Sequence, residues 1–81
     1  MEKIKNILRE YIKEKFEIGD DPDFTDDVHL FDEGFVDSFN AVEIIYYIEQ
    51  TFNIKITQRD ITLYPMNTIE EIATVINEKL S

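Results

Sequence analysis

The chain has no cysteine, and therefore no disulfide staple, no thiolate metal site and no cysteine nucleophile. Glycine and proline number two each in 81 residues, which excludes collagen-like and linker-like material. There is one histidine, His29, and there are two serines, Ser38 and Ser81. Positive charge is scarce: eight Lys and Arg stand against eighteen Asp and Glu, a formal net charge of −10. A surface of that sign argues against DNA or RNA, whose phosphates call for clustered Lys and Arg. No apolar run approaches the ~20 residues that span a bilayer. Met1-Glu2-Lys3-Ile4-Lys5 lacks the apolar stretch of a signal peptide. The expectation is one soluble, cytoplasmic domain over residues 1–81, a monomer whose partners are basic.

The hydrophobic fraction, 43%, is that of an ordinary globular chain, so the sequence is not disordered for want of apolar residues. A core this small has little stability to spare and should need most of its large apolar side chains. Charge is unevenly placed. Residues 1–16 carry five basic and three acidic side chains, whereas residues 17–37 carry nine acidic ones (Glu17, Asp20, Asp21, Asp23, Asp26, Asp27, Asp32, Glu33, Asp37) and no Lys or Arg. That middle stretch also holds both glycines and Pro22, so it reads as a long acidic loop. Loops of this length are uncommon unless pinned or functional. Val28, Leu30, Phe31, Phe35 and Val36 are the residues able to pin it.

Around the loop the period is helical. Ile4, Ile7, Leu8, Tyr11, Ile12 and Phe16 follow the i, i+3, i+4, i+7 spacing of an amphipathic helix over about Glu2 to Phe16, with Gly19 placed to help stop it. A second helix begins at Asp37-Ser38, where Asp37 is a suitable N-cap, and runs to Phe52. At ~100° per residue, Ala41, Ile44, Ile48 and Phe52 share one side, with Ile45 at its edge. Phe39, Val42 and Tyr46 gather on the other, joined by Glu43, Glu49 and Gln50. This second stripe is either a second packed face or an exposed apolar strip rimmed by charge, the usual form of a partner surface. Thr57 with Asp60 is placed to cap a short third helix ending before Pro65. Thr68 with Glu71 forms a stronger capping box for a last helix carrying Ile69, Ile72, Ala73, Ile76 and Leu80. The predicted fold is all-α: a small four-helix bundle of three main helices and one short one, with the long acidic loop between helices one and two.

Few residues offer chemistry. His29 lies in the acidic loop and no G-x-S-x-G elbow surrounds either serine, so a self-contained hydrolase is not expected. Asp20 to Asp27 invites a calcium reading, but counting from Asp21 an EF-hand loop needs glycine at its sixth position and glutamate at its twelfth; Asp26 and Asp32 stand there instead. No metal is expected. Ser38 remains, in the first turn of a helix, directly after the capping aspartate. Its position fits a hydroxyl displayed on a rigid element, where backbone N–H groups favour a nearby phosphate. It fits equally an ordinary N-terminal helix serine.

The run Leu30-Phe31-Asp32-Glu33-Gly34-Phe35-Val36-Asp37-Ser38-Phe39, followed by Val42-Glu43-Ile44 and Glu49-Gln50-Thr51-Phe52-Asn53-Ile54, resembles the acyl carrier proteins. Their hallmark is Asp-Ser-Leu at the start of helix two, and here Phe39 takes the place of Leu. The likeness continues through Ile56–Asp60 and Thr68–Ile72. It implies that Ser38 receives 4′-phosphopantetheine from coenzyme A through a phosphopantetheinyl transferase and that Asp37 helps present it. It also implies that Phe39, Val42, Glu43, Tyr46 and Glu49 are read by partner enzymes with basic docking surfaces, which load the arm with acyl or aminoacyl groups as thioesters and draw on it in fatty-acid, polyketide or related biosynthesis. The chain itself would catalyse nothing. The same stretch also resembles the D-alanyl carrier proteins, with Tyr46 and Tyr47 pointing to a distinct partner set. An unmodified acidic interaction module is the alternative outside the family.

Overall fold

Helix α1 spans Glu2–Lys15 and buries Ile4, Leu8 and Ile12, the i, i+4, i+8 line of its apolar stripe. The computed structural model describes residues 1–64 and 66–80, and of Ser38 only the backbone is described; Pro65 and Ser81 lie outside the described residues. After the loop comes a 3₁₀ turn, Ser38–Asn40. Helix α2 is Ala41–Phe52, α3 is Gln58–Leu63 and α4 is Ile69–Leu80. The described residues are all helix, turn and loop, the bundle expected from the periodicity. No described helix is long and apolar enough to cross a membrane.

The end of α1 is made differently from the expectation. Glu17, not Gly19, takes the first left-handed position, at φ 52°. Ile18 N–H then reaches back to the Lys13 carbonyl at 3.0 Å, closing the helix end as a glycine normally would. Gly19 follows, also left-handed, and starts the loop away from the helix axis.

The loop is part of the core. Leu30, Phe24 and Val36 are buried, and Val28, Phe31 and Phe35 pack against the cluster built by α1, α2 and α4. Phe24 was not among the expected pins; its ring meets Phe35 edge-on at 5.5 Å. Polar ties complete the anchoring. Arg9 on α1 grips Asp26 with two bonds, Nε–Oδ1 at 2.6 Å and Nη2–Oδ2 at 3.0 Å. The Asp26 carbonyl accepts the Glu70 N–H at the start of α4 (3.0 Å), and Leu30 N–H donates to the Asn67 carbonyl (2.9 Å). The Arg9 hydrogen bond holds the Asp26 carboxyl below its ordinary range, and the same bond raises the guanidinium pKa. Asp26 thus joins α1, the loop and α4 at one point.

Helix α1 packs along α4, which buries Ile69, Ile72, Ala73, Val75 and Ile76. Val75 takes an inward place that the expected stripe had not included, while Leu80 is 51% exposed, beyond the reach of the core. Buried Thr68 accepts the Glu71 N–H at 3.0 Å, but the Glu71 carboxylate receives the N–H of Asn67 rather than that of Thr68. Thr57 and Asp60 make both halves of a capping box on α3. Helix α3 buries no residue; Asp60 ties it to α4 through Lys79 Nζ at 2.6 Å. That partner, with the Thr57 N–H, pushes the Asp60 carboxyl down to about 2.

Candidate functional site: the Asp37 turn and the exposed face of α2

The loop delivers its last residues to the surface in a fixed way. Leu30 is fully buried, and its carbonyl accepts the Val36 N–H at 3.0 Å, so the chain from 30 to 36 closes on itself. Gly34 makes this possible with φ +80°, a conformation that costs an L side chain about 1 kcal/mol or more. Val36 is pulled inside, and Asp37, the next residue, emerges exposed.

Asp37 then organises the turn. Its Oδ1 accepts the Phe39 N–H at 2.9 Å and its carbonyl accepts the Asn40 N–H at 2.9 Å. It therefore caps a 3₁₀ turn that runs into α2, rather than capping the α-helix directly; Asn40 precedes α2 and makes no side-chain cap bond. The backbone of Ser38 opens this turn, and the Ser38 side chain, on which the sequence reading centred, lies outside the described residues. Both flanking residues, Asp37 and Phe39, are exposed.

From that turn α2 presents its two stripes unequally. Ile44 and Ile48 are buried, and Ala41, Ile45 and Phe52 are half-buried. Phe39, Val42 and Tyr46 are 87%, 71% and 64% exposed, so among the described residues the second stripe has no internal cover. The acidic residues assigned to it divide their attention. Glu43 pairs with Lys15 of α1 at 3.0 Å, which raises the lysine pKa. Glu49 is half-buried and its Oε2 accepts the Ile56 N–H at 2.9 Å, holding the segment that follows α2. Glu49 thus has internal work of its own.

Beside the stripe lies an apolar cleft of about 300 Å³, walled by Ala41, Ile45, Ile61, Tyr64 and Met66 above Ile72. Ile61, Leu63 and Tyr64 are themselves exposed. Sequence reasoning did not single them out. The available signal was Ile61, Leu63 and Tyr64, three large apolar side chains within four residues at the end of a short helix. His29 is exposed and sits 3.5 Å from Asp32. Among the described residues no group of three or more His, Cys, Asp or Glu side chains is placed to hold a metal ion.

Asp37 thus caps a turn between exposed residues, and an uncovered apolar strip leads away from it along α2. Residues 6–76 match the family described as "Phosphopantetheine attachment site", and the chain belongs to that family. Its members carry 4′-phosphopantetheine covalently. Among curated proteins the chain is similar to the D-alanyl carrier proteins of Streptococcus pyogenes serotypes M5, M49 and M1, each 38% identical over 52 residues. The matched stretch covers 64% of this chain and 66% of each relative, just under two thirds of their length. No solved structure matches significantly.

Proposed function

We propose that Ser38 is the attachment residue and that the domain is a non-catalytic carrier for an acyl or aminoacyl group, D-alanine being the cargo its relatives' names suggest. The observation that supports this reading is the Asp37 cap: one side chain holds the Phe39 N–H across position 38, between two exposed neighbours, in a family defined by phosphopantetheine attachment. When bound, the group supplies the thiol that a cysteine-free chain lacks and holds cargo as a thioester. The residues fit such a group, because Asp37 and Phe39 on either side of position 38 are both exposed.

The chain's own part is to position and to present. Leu30 and Val36 anchor the turn from below, and Asp37 keeps its backbone from fraying, so a modifying transferase meets a preformed target. Phe39, Val42 and Tyr46 offer an apolar strip for partner enzymes. The acidic surface steers basic partners toward it quickly and with strong salt dependence.

The test is direct. Coenzyme A and a broad-range phosphopantetheinyl transferase should raise the intact mass by one phosphopantetheine group, and Ser38→Ala should abolish the gain. Labelling that persists in the variant removes the assignment. An unmodified interaction module predicts no gain in either protein, with partner binding indifferent to the substitution. The group released from protein purified from its own host would then name the cargo.

A further inference from the structure

A further groove lies elsewhere, between α1 and α2, with a volume of about 610 Å³. Ile7, Tyr11 and Tyr47 wall it, and Asn6, Glu10, Glu14 and Lys15 complete its lining. The two tyrosines are stacked, with centroids 3.6 Å apart and planes 7° from parallel, and both are only half-buried. Burial of its ring raises the Tyr11 pKa, so the phenol stays neutral. At one end Lys15 is engaged by Glu43. Glu10 and Glu14 form no ion pair among the described residues. They lie one turn apart on α1, a like-charge spacing that weakens an isolated helix unless a cation sits between them. Tyr47 lies ~100° around α2 from Tyr46, so the groove opens on a different side from the Phe39–Val42–Tyr46 strip.

We propose that this groove is a second docking site, which takes a Lys or Arg side chain from an amphipathic basic segment of a partner protein. The aliphatic stem lies on Ile7 and the tyrosine rings while the cationic head sits between Glu10 and Glu14. Long basic side chains divide themselves in this way, apolar stem against apolar surface and charge among charges. A second copy of this chain is the poorer occupant, because each copy carries a net charge of −10. None of Asp37, Phe39, Val42 and Tyr46 lines this groove.

The experiment is an NMR titration of the full chain with a helical peptide of alternating Leu and Lys blocks, and with its Glu-for-Lys counterpart. The basic peptide should shift the amides of Ile7, Glu10, Tyr11, Glu14 and Tyr47, and the acidic one should not. Glu10→Gln/Glu14→Gln should weaken binding about five- to ten-fold. Asp20→Asn/Asp23→Asn, which removes equal charge from the acidic loop, should leave it within about two-fold. Shifts spread over the acidic loop, or equal weakening by both variants, overturn the proposal in favour of nonspecific charge attraction. Sedimentation showing a dimer that the Glu10/Glu14 variant dissolves would assign the groove to a second copy instead. Phosphopantetheine loading is read separately, so failure here leaves the carrier assignment untouched.

Discussion

Tyr46→Glu is the sharpest perturbation of the exposed stripe, and its cost can be worked from the structure. Tyr46 is 64% exposed, so about a third of it is covered. An aromatic side chain buries about 150–250 Å² when fully enclosed. A third of that, at ~25 cal/mol per Å², caps the loss near 2 kcal/mol. The methylene stem of Glu covers part of the same surface and Glu is the better helix former, which brings the expected cost below about 1 kcal/mol. Leu30→Ala is the comparison. Leu30 is fully buried under the loop, and such truncations cost about 3–5 kcal/mol. At about 4–8 °C per kcal/mol for a domain of this size, Tyr46→Glu should lower Tm by less than about 8 °C, and Leu30→Ala by about 12 °C or more. Thermal unfolding followed by circular dichroism reads both. Transfer of cargo by a partner enzyme should fall in Tyr46→Glu at temperatures where it is fully folded. Equal Tm losses in the two variants, or a folded Tyr46→Glu protein with undiminished transfer, would refute the partition of α2 into a packed and a docking face.

Two further outcomes follow from the polar ties. Asp60, held at about 2 by Lys79 and Thr57, has a folded pKa below its unfolded value of about 4, so it contributes stability above pH ~4 that is lost as pH falls toward 2. Urea midpoints should decline over that window, with Asp26 adding in the same direction, and Asp60→Asn should flatten the decline; an unchanged profile would show that the α3–α4 tie is not formed in solution. Glu49→Ala leaves the Ile56 N–H without its acceptor and should cost about 1–3 kcal/mol by chemical denaturation, whereas Glu49→Gln keeps an acceptor and should cost less. Identical losses would mean that the carboxylate acts through charge alone.

Much of the fold was legible because it follows from local rules. The stripes of α1, α2 and α4 repeat with the helical period, and Thr57, Thr68 and Asp37 carry their capping chemistry in their own side chains. The candidate turn was legible for the same reason, since Asp37 carries capping chemistry, although the turn it caps is 3₁₀ and α2 starts only at Ala41. The exposed strip was visible as a pattern, but not as a surface. Phe39, Val42 and Tyr46 could have been covered by another helix, and only the arrangement of the other three leaves them bare.

What the sequence could not show depends on partners far along the chain. Nothing near Glu17 announces that it, rather than Gly19, ends α1, because the cost of its left-handed backbone is met by the Ile18–Lys13 bond. Asp26 is one of nine acids in its stretch, and it is singled out only because α1 brings Arg9 alongside it. Glu49 looked like part of a docking rim until the chain returned Ile56 to it, and the α1–α2 groove exists only because two tyrosines 36 positions apart meet face to face. Periodicity and capping are properties of consecutive residues, so the sequence by itself determined the helices and the turn that bears Ser38. Which faces meet depends on packing the whole chain at once, so tertiary structure alone decided which carboxylates are tied down, which stay free, and where the apolar surface remains open.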